Sequence, residues 1–427
     1  MKEQMKECID KLYGLFEECD GVTTDSRNIT AEVMFFALRG ASFDGNRFAA
    51  DALAKGARYA VVDSDEPLTE HPELSDRMVR VEDVLEALQA LSAEHRRRLA
   101  IPIVGIVGSN GKTTTKELVS AVLSEKFEVY ATRGNLNNHI GVPLTLLAMT
   151  AETELGVVEM GASACGEIEA LCRLSQPNYG VITNIGRSHL EGFGGIEGIR
   201  RGKGELFDYL EHNGGRAFVP REDAVLVDMA AERADMAVEF YSRTIADGLR
   251  SNLVGDYNRA NIAVAVALGN YFDVPSERIA DAVAMYVPQN NRSQQMLSER
   301  GNCVVLDCYN ANPSSMAVAI ENMKSMVGEH KWLILGDMLE LGEWSSEEHR
   351  STLRRAAEVD GAHLLLVGGE FSRAVEQLHA EGVVLDAECF ESTTAAAEYL
   401  ARNPLTKATV LVKGSRGIAL EKLVTLL

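Results

Sequence analysis

The chain has 427 residues, of which 46% are hydrophobic and 25% charged, the balance of a globular protein with more than one core rather than a disordered or fibrous one. Its 42 basic and 63 acidic residues leave a formal charge of −21. The averaged field repels nucleic acid and anionic membranes, so an anionic small-molecule substrate must be held by local basic groups.

In chain order, Met1 to Asp10 carries charges throughout and lacks the apolar core of a signal peptide. Residues 1–98 show few clear strand-helix repeats and a loop-rich stretch from Asp25 to Asn46. The charged run Glu94 to Arg98 closes a helical pattern before Pro102 and reads as a solvated helix end. From there short apolar strands are predicted at Ile103 to Val107, Gly156 to Glu159 and Val181 to Asn184, each followed by a helical pattern. An amphipathic helix is predicted over Ile196 to Leu210. This alternation implies a mostly parallel sheet covered by helices. The polar, turn-rich segment Pro288 to Ser293 reads as a join. A second series follows, with strands near Cys303 to Asp307, Trp332 to Leu335, His363 to Val367 and Thr409 to Val412. The expectation is an α/β protein of three domains, at 1–98, 99–291 and 292–427, the last a smaller doubly wound unit.

Seven scattered cysteines form no C-x-x-C pair, which suits free thiols in a reducing cytoplasm. No apolar run approaches the ~18 residues needed to span a bilayer, so a cytoplasmic, membrane-free and monomeric protein is expected.

The strongest local signal is GIVGSNGKTTTKE, Gly105 to Glu117. An apolar strand enters a glycine-rich turn and a helix follows at once, so backbone N–H groups and the helix N-terminus form an anion site. Lys112 can reach the terminal phosphates of ATP and Thr113 can offer its hydroxyl to Mg²⁺. The strict phosphate-loop pattern would place glycine at position 106, where this chain has Ile106. Gly108 and Gly111 supply the turns instead.

G-S-N-G-K-T-T resembles the ATP loop of the Mur ligases and folylpolyglutamate synthetases, and further matches follow in family order over nearly the whole chain. TRGNLNNHIGVPLTLL, EMGASACGEI, HLEGFGG and KGELF look like the central domain of that family. DCYNANPSSM, GDMLELG and KGSRG look like its C-terminal domain. TDSRNI and FFALRGASFDGNRF are similar to the UDP-binding domain of the two later-acting members. DCYNANP with GDMLELG, and the absence of D-N-P-R, point to ATP-dependent addition of D-alanyl-D-alanine to a UDP-N-acetylmuramoyl tripeptide.

The resemblance implies that ATP phosphorylates a substrate carboxylate and that an amine then attacks the acyl phosphate. Gly108, Ser109, Asn110, Gly111, Lys112, Thr113 and Thr114 would hold the phosphates. Glu159, at a strand end, supplies a hard oxygen ligand for Mg²⁺, and His189 is the matching nitrogen ligand. Alone, a strand-end carboxylate more often caps a helix and a histidine is more often packed. Lys203 would read as a solvated mid-helix lysine; the resemblance implies that it is carbamylated and joins Glu159, His189 and Thr113 at the metal. Gly202 and Gly204, each costing roughly 1 kcal/mol in a helix relative to alanine, suggest a close approach there.

Asn258 and Asn261 resemble the asparagines that contact adenine, although Tyr257 stands where the family commonly has histidine. Arg292 is similar to a hinge arginine that reaches phosphate, and Asp307, Tyr309 and Asn310 match the nucleotide side of the third domain. Ser26 and Arg27 are the UDP candidates, and Asn135, Asn137 and Asn138 line the muramoyl-peptide path; the competing reading is that these simply make turns. Ser163 and Ala164 replace the Asn and His of many relatives and carry no role. The alternatives are a relative that adds a single amino acid, or a phosphate-loop protein that binds ATP without catalysis.

Overall fold

The computed structural model describes the chain except Met1, Val254, Asp256, Gln289, Asn290, Asn291, Ser293 and Glu329, and except the side chains of residues 2–5. Most of the expected join at Pro288 to Ser293 therefore lies outside the described residues, Pro288 and Arg292 excepted.

Three helix-flanked sheets follow one another along the chain. The first has four parallel strands in the order Gly21–Thr23, Val33–Phe36, Tyr59–Val62, Met78–Arg80. The stretch read as loop-rich thus holds a fully buried strand. VMFF alternates between two cores: Val33 and Phe35 pack with Ala52, Leu53 and Val62, whereas Met34 and Phe36 pack with Leu12, Phe16 and Leu88. An apolar run with no polar residue has no visible period, which is why it escapes sequence reading.

The second sheet has six strands, all parallel, in the order Ala237–Tyr241, Arg216–Pro220, Tyr179–Ile182, Ile103–Val107, Leu155–Glu159, Val129–Ala131. Both faces are covered. Val104 and Ile106 join the core under the helices Lys112–Leu123 and Tyr257–Tyr271, and Ile103 and Val107 join the core under Glu167–Ser175 and Ile196–His212. The strand expected at Val181 to Asn184 starts and ends two residues earlier, leaving Thr183 and Asn184 in the loop beyond it.

The third sheet, in the order Gln294–Leu297, Cys303–Leu306, Thr409–Lys413, Lys331–Gly336, Ala362–Val367, Ala387–Phe390, is parallel apart from its antiparallel first strand.

The first unit is fastened to the second by buried polar groups on helix Val84–Leu99. His95 accepts or donates at both ring nitrogens, to Tyr13 OH at 3.0 Å and Met149 O at 2.9 Å. Arg96, only 5% exposed, donates to the carbonyls of Ser175 and Gln176 and to Asn178 Oδ1. The charged run is therefore not wholly a solvated end. Its third residue is a buried tie, while Arg97 and Arg98 pair with Glu94 at the surface.

Candidate active site

Strand Ile103–Val107 delivers the chain to a loop that ends on the first turn of helix Lys112–Leu123. Gly108 and Gly111 take φ of +145° and +79°, which glycine adopts without the steric cost that a side chain brings. Crowding reinforces the choice: a Cβ on Gly108 would lie 2.0 Å from Thr183 Oγ1, and one on Gly111 2.6 Å from Asn261 Oδ1. Ile106 is a buried strand residue in register with Glu159 and Val181, so the loop begins two residues after the position the strict pattern reserves for glycine.

The loop is gripped from the neighbouring strand. Thr183 Oγ1 and Asn184 Nδ2 donate to Asn110 O at 2.6 and 3.0 Å, Asn110 N donates to Asn184 Oδ1 at 3.1 Å, and Ser109 Oγ donates to Gly186 O at 2.8 Å. These bracing residues were not singled out in the sequence, because the predicted strand had absorbed two of them. Lys112 Nζ curls back onto Gly108 O at 2.6 Å and Ser109 O at 3.2 Å. Burial pulls its pKa down, Glu159 pushes it up and Arg292 pulls it down again.

Glu159, 1% exposed, ends its strand facing the same space. Asn137 Nδ2 donates to its Oε1 at 2.8 Å, while Oε2 is buried with no hydrogen-bond partner. A bare carboxylate oxygen in that setting is costly unless a cation meets it, so the donor set fits a hard divalent metal. His189, at φ +52°, has Nδ1 in ion-pair contact with Glu340 Oε2 but out of hydrogen-bonding alignment. Burial lowers its pKa most, Glu340 opposes that shift, and Lys112 and Lys203 add to it; a neutral imidazole is the form that ligates metals. Thr113 is buried beside them. Among the described residues no three His, Cys, Asp or Glu side chains gather into a ready cage. Mg²⁺ is habitually held by one or two protein groups with phosphates and waters.

Lys203 is the clearest departure from the expected solvated lysine. It is 1% exposed, its Nζ donates to Ala162 O at 3.0 Å, and it lies 4.8 Å from the centroid of Phe193. Burial chiefly, then the charge of Lys112, bring its pKa down to about 7. The flanking glycines admit neighbours rather than a ligand: a Cβ on Gly202 would lie 2.4 Å from the Phe193 ring, and one on Gly204 3.0 Å from the Arg233 guanidinium.

These groups surround a cavity of about 1220 Å³ to which all three units contribute. Residues 109–114 of the loop, Asn137, Asn138, Glu159, His189, Asn258, Asn261, Arg292, Asp307, Tyr309 and Asn310 all line it. Several are also committed within the protein. Thr115 Oγ1 donates to Asn261 Oδ1, and Asn261 Nδ2 donates to Asn258 Oδ1, tying helix Tyr257–Tyr271 to the loop helix. Asn138 Oδ1 accepts from the N–H groups of Ile140 and Gly141, the turn-making role. The Arg292 guanidinium lies 3.8 Å from the Tyr309 ring centroid, and Lys413 Nζ is 2.5 Å from Asp307 Oδ2.

Other candidates are placed elsewhere. Lys203 sits behind the wall, attached to the lining residue Ala162. Asn135 opens onto a separate cavity of about 270 Å³. Ser26 and Arg27 line neither; Arg27 is clasped by Asp25, and Ser26 O accepts from Lys55 Nζ.

The third unit closes the cavity through contacts that include the phosphate loop itself. Asn312 Nδ2 donates to Asn110 Oδ1 at 2.8 Å, Arg187 N donates to Ser314 Oγ at 2.8 Å, and Arg187 pairs with Glu348. Asn312 caps helix Pro313–Ser325 with a capping box and proline in the first turn. Asparagine followed by proline is the residue pair such a helix start favours, and the reach to Asn110 is set by the packing of the two units.

Comparison with known proteins follows the same division. Family models match in succession the Mur ligase catalytic domain at residues 18–96, the Mur ligase middle domain at 106–248 and the Mur ligase glutamate ligase domain at 291–416. The chain is 33% identical to UDP-N-acetylmuramoyl-tripeptide--D-alanyl-D-alanine ligase of Bacillus subtilis, over 95% of this chain and 92% of that one. It is 35% identical to the enzyme of the same name from Treponema pallidum, over 96% and 94%. The crystal structure of MurF from Acinetobacter baumannii superposes with a TM-score of 0.81 at 29% identity, covering 95% of this chain and 93% of that one.

Proposed function

The chain belongs to the Mur ligase family, and we propose that the cavity is where it joins D-alanyl-D-alanine to a UDP-N-acetylmuramoyl tripeptide with ATP, in peptidoglycan synthesis. The observation that carries this reading is the meeting, in one cavity, of the glycine-rich loop, a buried carboxylate with one oxygen unpartnered, and loops of the third unit. A phosphate loop alone would serve a binder as well as an enzyme.

In the reaction the tripeptide carboxylate takes the terminal phosphoryl group of ATP, the dipeptide amine attacks the acyl carbon, and phosphate leaves. Such chemistry needs positioned charge more than covalent help. The loop N–H groups hold the phosphates, and Lys112, resting on two loop carbonyls, has only to swing from them to reach phosphate oxygen. Arg292 and the third-unit residues Asp307, Tyr309 and Asn310 close on the nucleotide from the other side. Thr113, Glu159 and His189 would hold Mg²⁺, whose part is to neutralise the charge of the phosphate oxygens. Lys203, with a pKa of about 7, holds much of its amine unprotonated at neutral pH, the form that attacks CO₂. As a carbamate it would present anionic oxygens toward the same space. Asn137, by fixing Glu159 Oε1, leaves Oε2 as the free ligand atom.

Among the described residues no helix is long and apolar enough to cross a membrane. A monomer working in the cytoplasm is the arrangement we propose for a ligase acting on a nucleotide-linked precursor.

The test is ATP-dependent phosphate release with UDP-N-acetylmuramoyl tripeptide and a panel of amines. D-Alanyl-D-alanine is expected to drive release. Faster release with diaminopimelate or lysine alone would move the chain to another branch of the family, and no release with any amine would favour a non-catalytic ATP binder.

A further inference from the structure

His349 lies fully buried in helix Ser345–Ala357 and lines neither of the two cavities. Its ring is committed at both nitrogens. Nδ1 lies 2.8 Å from Ser345 O, an atom that can only accept, so Nδ1 carries the proton. Nε2 is thereby left bare, and it accepts the N–H of Met338 at 3.0 Å. Phe371 meets the ring edge-on with 4.7 Å between centroids. Asp337 Oδ1 is 3.9 Å away, but that carboxylate is already taken by the N–H groups of Glu370 and Phe371, each at 2.9 Å, at the start of helix Gly369–Ala380. Burial lowers the pKa of the histidine; Ser345 O, Asp337 and Glu370 oppose that shift and Arg373 adds to it. Only the neutral ring fits this setting, because a protonated Nε2 would face the Met338 N–H donor to donor.

What the histidine holds is the loop Met338–Leu341, which follows strand Lys331–Gly336. Leu339 N donates to Ser415 Oγ at 3.0 Å, Ser415 N donates to Asp337 O at 3.2 Å, and Met338 and Leu341 are buried. Between these anchors Glu340 is kept at φ +62° with 61% of its side chain exposed. A left-handed backbone at such a residue persists only where its surroundings over-determine it. The bend turns Glu340 toward the second unit. Its carbonyl accepts the N–H of Glu191 at 3.4 Å, and its carboxylate meets Nδ1 of His189, a residue itself at φ +52°. Close packing continues along the same seam: a Cβ on Gly342 would lie 3.2 Å from Glu191 Cβ, and one on Gly195 3.6 Å from Trp344 Cζ2. A line of contacts therefore runs from His349 through Met338 N to Glu340 and on to His189, out of one unit and into another.

We propose that His349 is a positioning residue for the ligation: by accepting the Met338 N–H it sets the bend that presents Glu340 to His189 and Glu191, and so fixes the His189 ring from the side of the third unit. A histidine that serves a metal is commonly oriented by a carboxylate on its other ring nitrogen, and here that carboxylate belongs to a loop whose shape a second histidine decides. The inference rests on the ligase reading above and adds to it a residue that touches no substrate.

The test uses two replacements that divide the properties of the ring. His349→Gln keeps an acceptor near the place of Nε2 and loses the ring, whereas His349→Phe keeps a ring and loses the acceptor. In phosphate release at saturating substrates, His349→Phe should lower kcat roughly ten- to a hundredfold, the cost of a reacting group misplaced from a distance, with KM for ATP unchanged. His349→Gln should recover most of that loss. A second readout is the spectrum of protein labelled with ¹⁵N-histidine, taken without magnesium: the His189 ring signals should shift in His349→Phe and stay near their wild-type positions in His349→Gln. Circular dichroism establishes that each variant is folded. A lower kcat in His349→Gln than in His349→Phe would mean that the ring only fills the core and would overturn the proposal, as would unmoved His189 signals in His349→Phe. Should neither variant fold, Glu340→Ala decides, since its exposed side chain carries the last step of the argument: kcat should fall with KM for ATP unchanged, and an unaltered kcat would overturn the role. If the wild-type protein releases no phosphate with any amine, the ligase reading fails first and takes the positioning role with it.

Discussion

Replacing Lys203 with methionine should cost the enzyme its activity and make the fold more stable. The lysine is fully enclosed, with one hydrogen bond to Ala162 O and the Phe193 ring nearby, and its pKa falls from 10.5 to about 7 on folding. Between those two values the unfolded chain binds more protons at this site than the folded one, so stability rises with pH across that window and the burial penalty is fully expressed only below about pH 7. Carried through linkage, the penalty is on the order of 5 kcal/mol at pH 6 and about 2 kcal/mol at pH 9. Methionine fills a similar volume with no charge to desolvate. The stabilisation of Lys203→Met over wild type should therefore shrink by roughly 2 to 3 kcal/mol between pH 6 and pH 9. Guanidinium titrations followed by circular dichroism, in buffers stripped of CO₂, measure the difference. Adding bicarbonate should then alter the wild-type curve and leave the variant's alone. Parallel pH–stability curves for the two proteins would refute the account, because they would mean that Lys203 does not titrate within the fold.

Gly108→Ala must break the Thr183–Asn110 bond to make room at 2.0 Å and adopt φ +145°, so a cost of about 3 kcal/mol or more and a loss of ATP affinity beyond a hundredfold are expected by calorimetric titration. Glu159→Gln should keep the fold and shift the magnesium requirement for turnover upward by at least tenfold; an unchanged magnesium titration would remove Glu159 from the metal set. Arg96→Met leaves the carbonyls of Ser175 and Gln176 and the side chain of Asn178 short of donors and should cost roughly 3 kcal/mol, read as a lower midpoint in the same denaturation assay with substrate KM values little changed.

What the sequence discloses and what it hides follow from where the physical signal lies. Strand Ile103–Val107 is legible because five buried apolar residues run straight into a glycine turn and a lysine, each pointing to the same use. Val129–Ala131 and Ala387–Phe390 lie at sheet edges, half-buried and short, and carry no contrast for a pattern to show. Lys203 and Arg96 both sit in charged surroundings, R-R-G-K-G-E and E-H-R-R-R, where composition argues for solvent. Their burial is decided by what packs from distant parts of the chain. Gly202 did flag a close approach, but the partner, Phe193, arrives from another helix. Glu340 and Lys413 lie inside motifs that were noticed, yet charged loop residues have no local mark that separates a ligand from a surface group.

The two joints of the molecule differ in kind, and that difference bears on how such a protein can be recombined. The joint between the first and second units is made of buried groups whose partners are backbone carbonyls and a side chain at Met149, Ser175, Gln176 and Asn178. A first unit transplanted from a relative would have to supply His95 and Arg96 in register with those acceptors, or leave polar atoms stranded. The joint to the third unit includes pairs of side chains, Asn110 with Asn312 and Arg187 with Glu348, in which Asn312 and Glu348 are buried, and one apolar core runs through both units. A chimera cut beyond residue 293 has to match side chain with side chain and apolar face with apolar face, where a changed residue can be answered by a changed partner, so exchange of the third unit is the crossover this architecture tolerates better, and exchange of the first unit, which must meet fixed backbone carbonyls, is the one it resists.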